Sequence, residues 1–209
     1  MTTGTVEALV RYPVAAMQGE VLERSHVGPP GLLGDRAYVV VPAGEDDGDA
    51  GTMPATGDGL ADFRAAYSAE PEPGAPLPPV TIEFPDGSVL RSDDDKTFVA
   101  LSGVLGREVR LAPAPASGSA LRAVTAAVGD RAVPDHERPN LVLDLSEDAV
   151  PADGRVLRVG DEGAGVLPVP CTLTTPDGPI ELTAEFGDPG TWGCAAGSVS
   201  VGDAVTLSP

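Results

Sequence analysis

Apolar and polar residues alternate along this chain in short runs that glycine and proline separate, a pattern typical of β-strands joined by turns. A turn sequence, Pro-Asp-Gly-Ser, lies between two β-prone runs at 80–84 and 89–90 and predicts a hairpin. Further strands are predicted at 5–15, 20–27, 37–41, 109–111, 141–145, 156–159, 165–169 and 199–207.

Helical periodicity is confined to a few places. Phe98, Leu101, Val104 and Leu105 lie at helical spacing and predict a helix over 93–106, with Gly106 as its C-cap. A second short helix is predicted over 120–128, and one or two helical turns over 60–66. Many short strands and few helices predict a mainly β, α+β protein built on a barrel or a sandwich.

Composition divides the chain into regions. Residues 1–112 form a β-rich N-terminal part, 113–119 a linker containing Pro113 and Pro115, and 120–209 a second, core domain. Residues 42–59 are rich in glycine, aspartate, alanine and proline and predict an acidic loop.

Charge and composition exclude several classes of function. The formal net charge of −19 repels nucleic-acid phosphates and anionic lipid, so we expect neither nucleic acid nor membrane as a partner. No apolar run approaches the roughly 20 residues of a membrane span, and no signal-peptide pattern opens the chain. Two cysteines make no disulfide framework, so a cytoplasmic protein is expected.

The single lysine, Lys96, argues against a pyridoxal-phosphate enzyme, which needs a lysine for its Schiff base. Lys96 follows Asp93, Asp94 and Asp95, and these charges favour its ammonium form. Cysteine-desulfurating chemistry by this chain alone is therefore not expected.

Cys171 is the main candidate for chemistry. It stands in Val-Pro-Cys-Thr-Leu-Thr-Thr, just before a Pro-Asp-Gly turn. Thiolate is a soft ligand suited to soft transition metals and to sulfur chemistry. The alternative is an inert core cysteine, because unpaired cysteine is among the most buried residue types.

Five motifs in order resemble the MOSC family, named for the C-terminal domain of molybdenum-cofactor sulfurase. They are Leu-Val-Arg-Tyr-Pro-Val at 9–14, the segment 31–41 with Gly-Asp-Arg at 34–36, the segment 138–144 with Arg-Pro-Asn at its start and Ser-Glu-Asp after it at 146–148, the Cys171 motif, and the terminal segment 197–205. The resemblance covers almost the whole chain, including the β-rich part that often precedes a MOSC domain. It implies a β-barrel-like core with peripheral helices.

The resemblance also implies a molybdenum cofactor (molybdopterin) with Cys171 as metal ligand. Arg36 and Arg138 would bind its phosphate, Asn140 the pterin edge, and Thr174 and Thr175 the pterin or an oxo ligand. The implied reaction is the two-electron removal of an oxygen atom from a small molecule. An electron-donor protein would supply the two electrons. From the residues alone, Arg36 equally suits an ion pair with Asp35, and Asn140 a turn-capping amide.

Two departures from the family pattern leave alternatives open. Ala15 and Ala16 replace a common Lys-Ser, and Pro170 replaces a common arginine before the cysteine. The second hypothesis is a molybdenum-independent enzyme or sulfur carrier that uses Cys171 in a specialised biosynthetic pathway. The third is a non-catalytic module that binds a small molecule.

Overall fold

The computed structural model describes residues 2–28, 31–43, 59–114, 124–128, 138–145, 156–160, 167–175, 178–186 and 197–208. Within these residues the protein is mainly β with one α-helix, which confirms the predicted fold class. The Cys194 position and residues 115–119 of the predicted linker lie outside the described residues, as does most of the predicted acidic loop.

Seven of the described strands form a closed ring of pairings, since the first strand, Thr2–Arg11, pairs with Leu141–Leu145 at one side and with Ala204–Ser208 at the other. Side chains alternate between the interior and the outside, as a half-buried sheet requires. In order around the ring, the strands are β1 (Thr2–Arg11), β11 (Leu141–Leu145), β10 (Val124–Val128), β13 (Leu167–Thr175), β14 (Gly178–Phe186), β12 (Val156–Val159) and β16 (Ala204–Ser208).

Shorter strands extend this ring. β2 (Glu20–Leu22) pairs with the last residues of β1, and β15 (Gly197–Ser200) forms a small sheet with β3 (Arg24–Gly28) and β4 (Gly31–Leu32). Apolar side chains from the ring and the small sheet fill one continuous core. Strands from the beginning and the end of the chain therefore build this core together.

A second core lies within residues 14–111. Around it are β5 (Tyr38–Pro42) paired with β9 (Val109–Pro113), and a sheet of β6 (Arg64–Tyr67), β7 (Val80–Glu83) and β8 (Val89–Arg91). A short 3-10 helix, Leu60–Asp62, and the helix α1, Asp95–Leu105, complete it. Phe63 and Phe84 pack edge to face at its centre, with ring centroids 5.2 Å apart.

Local signals explain the predictions that are confirmed. The Asp94 side chain accepts from the backbone N–H of Lys96 and begins α1, and Gly106 ends it with a left-handed φ of 68°. The predicted hairpin is present as β7 and β8.

Other predictions of local structure differ from the structure, wholly or in part. The predicted helix over 120–128 is strand β10 in its described part, because β11 and β13 hydrogen-bond it on both sides. The one or two helical turns predicted over 60–66 are present only as the 3-10 helix at 60–62, and β6 follows from Arg64. The predicted strand over 199–207 is interrupted by a turn at Gly202, whose φ is 89°.

Packing inside the ring predicts a clear difference in stability between two apolar truncations. Leu173 is fully buried in the ring core, whereas Val99 of α1 is 75% exposed. We expect Leu173→Ala to lower the free energy of unfolding by about 2–5 kcal/mol, and Val99→Ala to change it by less than about 0.5 kcal/mol. Urea denaturation of both variants measures this, and equal effects would contradict the described packing.

Candidate functional site

The candidate site lies where three chain segments meet beside the ring: the end of β1, a turn at 33–36, and residues 138–140 before β11. Backbone bonds fix the three segments, since Val10 N–H donates to Asn140 O at 2.8 Å and Arg36 N–H donates to Tyr12 O at 2.6 Å. The Tyr12 hydroxyl donates to Pro139 O at 3.2 Å. Two backbone hydrogen bonds and the bond from the Tyr12 hydroxyl therefore join the three segments.

Asp35 is the centre of this junction. Its fully buried carboxylate accepts from Tyr12 N–H at 2.8 Å, from Asn140 Nδ2 at 2.9 Å and from the Arg36 guanidinium. Burial raises the pKa of Asp35 above its ordinary value, while the charge of Arg36 and the hydrogen bonds act to lower it. Removing any donor would leave a buried carboxylate less well satisfied.

Arg36 is held but keeps binding capacity. Its Nη1 donates to Asp35 and to Asn140 Oδ1 at 3.1 Å, and its Nη2 donates to Arg138 O at 2.8 Å. These contacts use three of the five N–H donors of a guanidinium, so two have no partner among the described residues. The side chain is 15% exposed, so it is not sealed from solvent.

Arg138 approaches the same place from the other half of the chain. Its Nη1 donates to Met17 O. Burial raises the pKa of the Tyr12 phenol, and the charges of both Arg36 and Arg138 act to lower it. The Arg36 guanidinium covers the Tyr12 ring at 5.1 Å, and its bond to Arg138 O brings residue 138 next to it.

The structure thus brings together three of the residues that the sequence singles out, Arg36, Arg138 and Asn140. Asn140 is also a structural amide, because its Nδ2 donates to Val10 O at 2.9 Å as well as to Asp35. Arg36 has the ion pair with Asp35 that the sequence offered as its alternative role. Their role in binding a cofactor stays a prediction.

Cys171 lies at the same end of the ring. Ala126 of β10 pairs with both Leu173 and Leu141, and all three strands run in parallel. On β13, Cys171 lies two residues before Leu173, so it is nearer than Leu173 to the end of the ring at which residues 138–140 lead into β11. The Cys171 side chain is buried in the ring core at 0% exposure.

Of the two candidate threonines, Thr174 lies apart from this thiol. Along β13, Cys171 and Leu173 are buried while Thr172 and Thr174 are partly exposed, so Thr174 faces away from the Cys171 side. Thr172 on that outer face donates to Glu181 Oε1 at 2.8 Å. Thr175 ends the strand, and its side chain lies outside the described part of the chain.

The structure also explains why β13 tolerates a proline at position 170. β13 pairs with β14 along its whole length, but its pairing with β10 begins only at Cys171. Pro168 and Pro170 therefore lie where β13 has one neighbouring strand among those described, the part of a sheet that tolerates a missing N–H.

Sequence reasoning gave no role to Tyr12 and treated Asp35 only as a partner for Arg36. Both stand inside the motifs at 9–14 and 34–36, so their positions were visible. The burial of Tyr12 and Asp35 could not be inferred from these motifs, because it depends on contact with residues 138–140.

Comparison with protein-family models, with curated proteins and with solved structures gives no match. The MOSC resemblance therefore stays a prediction. In the described residues, no group of three or more His, Cys, Asp or Glu side chains is placed to hold a metal ion. Those residues also contain no helix long and apolar enough to cross a membrane.

Backbone strain is concentrated at the junction. Among the described residues, three other than glycine have a positive φ: Ala16 at 70°, Arg36 at 46° and Arg138 at 39°. Arg138 binds the carbonyl of Met17, the residue after Ala16, so the three lie close together. Strained residues of this kind cluster at functional sites, where the surrounding contacts hold them.

Relief of this strain gives a second prediction. Glycine adopts a positive φ without the steric cost that Ala16 bears, so Ala16→Gly should raise the free energy of unfolding by about 1 kcal/mol. The matched variant Ala15→Gly has no positive φ to relieve and should lower it by about 0.5–1 kcal/mol. Thermal and urea denaturation compare the two, and destabilisation by both would show that Ala16 is unstrained.

Proposed function

We propose that this chain is a MOSC-type protein that binds a molybdenum cofactor at the junction end of the ring, with Cys171 as the metal ligand. The observation that supports this is the register of β13, β10 and β11. It sets Cys171 two residues before the level of Leu141, toward the end of the ring at which residues 138–140 lead into β11, although Cys171 follows them by 31 or more positions in the chain.

The types of side chain near the junction are chemically suited to a molybdenum cofactor. A thiolate is a soft metal ligand, and a guanidinium with two remaining donors suits a phosphate. Arg36 and Arg138 would bind the phosphate, and Cys171 the metal. Because the Cys171 side chain is fully covered, binding requires the residues above the thiol to move aside. Ala15 and Ala16 contribute no cation or hydroxyl of their own.

The chain's own residues would contribute by holding the groups that bind the cofactor in fixed orientations. Asp35 and Asn140 fix the plane of the Arg36 guanidinium, so its remaining donors are preorganised for an anion. The buried Tyr12 phenol has a raised pKa and stays protonated at neutral pH, donating to Pro139 O. The bound cofactor would supply two-electron removal of an oxygen atom from a small N-oxygenated compound, with electrons from a donor protein.

Molybdenum content tests this proposal. We expect protein made in a host that synthesises the cofactor to contain molybdenum, and Cys171→Ala to contain at least about tenfold less. Cys194→Ala is the matched control, since it removes the other cysteine, and it should keep the metal. Elemental analysis of the three purified proteins decides. Equal metal in wild type and Cys171→Ala, or none in either, would rule out the proposed ligand.

A second candidate is a molybdenum-independent protein that binds a small anionic molecule at the same junction. The complete burial of Cys171 favours a binding module over a sulfur carrier within this class, since a carrier thiol must be reached by its donor. A metal-free protein that still binds an anion would identify this candidate.

Both candidates place an anion on Arg36, which gives a further prediction. At equal ionic strength, sulfate should raise the melting temperature of the wild type more than chloride does, by binding the folded state. Arg36→Lys keeps the charge beside Asp35 but loses the planar fork, so its sulfate–chloride difference should be smaller. Arg91→Lys, at an exposed arginine paired with Asp93, is the control for general salting-out. If Arg36→Lys keeps the sulfate–chloride difference of the wild type, the anion does not bind at Arg36.

A further inference from the structure

A second arginine at the junction has an unusual set of partners. Arg11 ends β1, and its side chain is only 1% exposed. Its Nε donates to Glu20 at 2.8 Å, and its Nη1 and Nη2 donate to the two carboxylate oxygens of Glu70 at 2.9 and 3.0 Å. The guanidinium also lies over the Tyr67 ring at 5.0 Å. One buried cation thus has two carboxylate partners.

The two carboxylates differ in a way that matters. Glu20 is 16% exposed and by itself neutralises the charge of Arg11. Glu70 is 51% exposed and occupies the Nη1–Nη2 edge, the bidentate geometry in which arginine binds a carboxylate ligand. If the Glu70 side chain turns out to solvent, Arg11 keeps a counter-ion and Glu70 becomes hydrated. Exchange of this carboxylate for another therefore leaves no buried charge unpaired.

We propose that Arg11 is a binding position for a carboxylate-bearing small molecule, and that Glu70 occupies it in the unliganded protein. The incoming carboxylate replaces Glu70 on the Nη1–Nη2 edge, while Glu20 stays on Nε and the Tyr67 ring covers the guanidinium. Neither the ligand class nor the position depends on whether the chain binds molybdenum.

The position is connected to Arg36 through the turn at 33–36. Arg11 Nη1 donates to Leu33 O at 3.4 Å, and the Tyr67 hydroxyl donates to Gly34 O at 2.8 Å. The Gly34 site has no room for a side chain, since a Cβ there would lie 2.7 Å from the Tyr67 ring. A ligand on Arg11 therefore contacts the cluster that supports the turn bearing Asp35 and Arg36.

Acetate is the probe for this proposal. In Glu70→Ala the Nη1–Nη2 edge is open, so acetate in excess should raise the melting temperature by about 3 °C over chloride at equal ionic strength, and the effect should saturate. Glu72→Ala is the matched control, because it removes an exposed acid two residues away and should show at most a third of this difference. If Glu70→Ala and Glu72→Ala respond alike, Arg11 binds no external carboxylate and the proposal fails.

Two further measurements complete the test. Phosphate at equal ionic strength should stabilise Glu70→Ala less than acetate, and an equal or larger effect would overturn the assignment to carboxylates. In the wild type, the NMR signal of the Arg11 Nε–H should shift saturably with acetate and not with chloride, with an affinity at least tenfold weaker than in Glu70→Ala. No shift in the wild type would mean that Glu70 is a fixed structural partner. The wild-type shift itself needs no variant, so it tests the proposal even if Glu70→Ala does not fold.

Discussion

Strand β1 hydrogen-bonds to β11, β16 and β2, and its pairing with β11 closes the ring of strands. The same pairing aligns residues 138–140 with the end of β1, where Arg11 and Tyr12 follow in sequence. Each polar cluster of the junction contains one of these two residues. The closure of the sheet and the assembly of the candidate site therefore depend on one strand pair.

The junction uses one arrangement twice. Arg36 has a carboxylate partner in Asp35, a tyrosine ring beneath it and a backbone carbonyl as acceptor. Arg11 has Glu20 and Glu70, the Tyr67 ring and Leu33 O. The carboxylate of Asp35 is buried, whereas that of Glu70 reaches solvent. Burial makes the first pair part of the framework, and exposure makes the second exchangeable.

In a chain of net charge −19, buried guanidiniums with acid partners are easy to satisfy, because carboxylates are abundant. The donors of Arg36 that have no partner among the described residues are therefore notable. They lie beside strained backbone at Arg36 and Arg138. Unused donors and strain at one place are the physical reason for proposing that this junction binds a ligand.

Local sequence determined the elements whose signals are local. The α1 helix follows from its apolar spacing with Gly106 as its C-cap, and the β7–β8 hairpin from its turn residues. Strand β10 could not be predicted in this way, because apolar residues at 124 and 128 suit a helix as well as a strand. Only pairing with β11 and β13 decides between them.

The sequence also named Arg36, Arg138, Asn140 and Cys171, since each stands in a motif. Tertiary structure alone decided that the first three meet, that Cys171 is covered, and that Thr174 faces away from it. It alone paired Arg11 with Glu70 across 59 positions. Strand register and the path of the chain set such contacts, and no local pattern of residues encodes either.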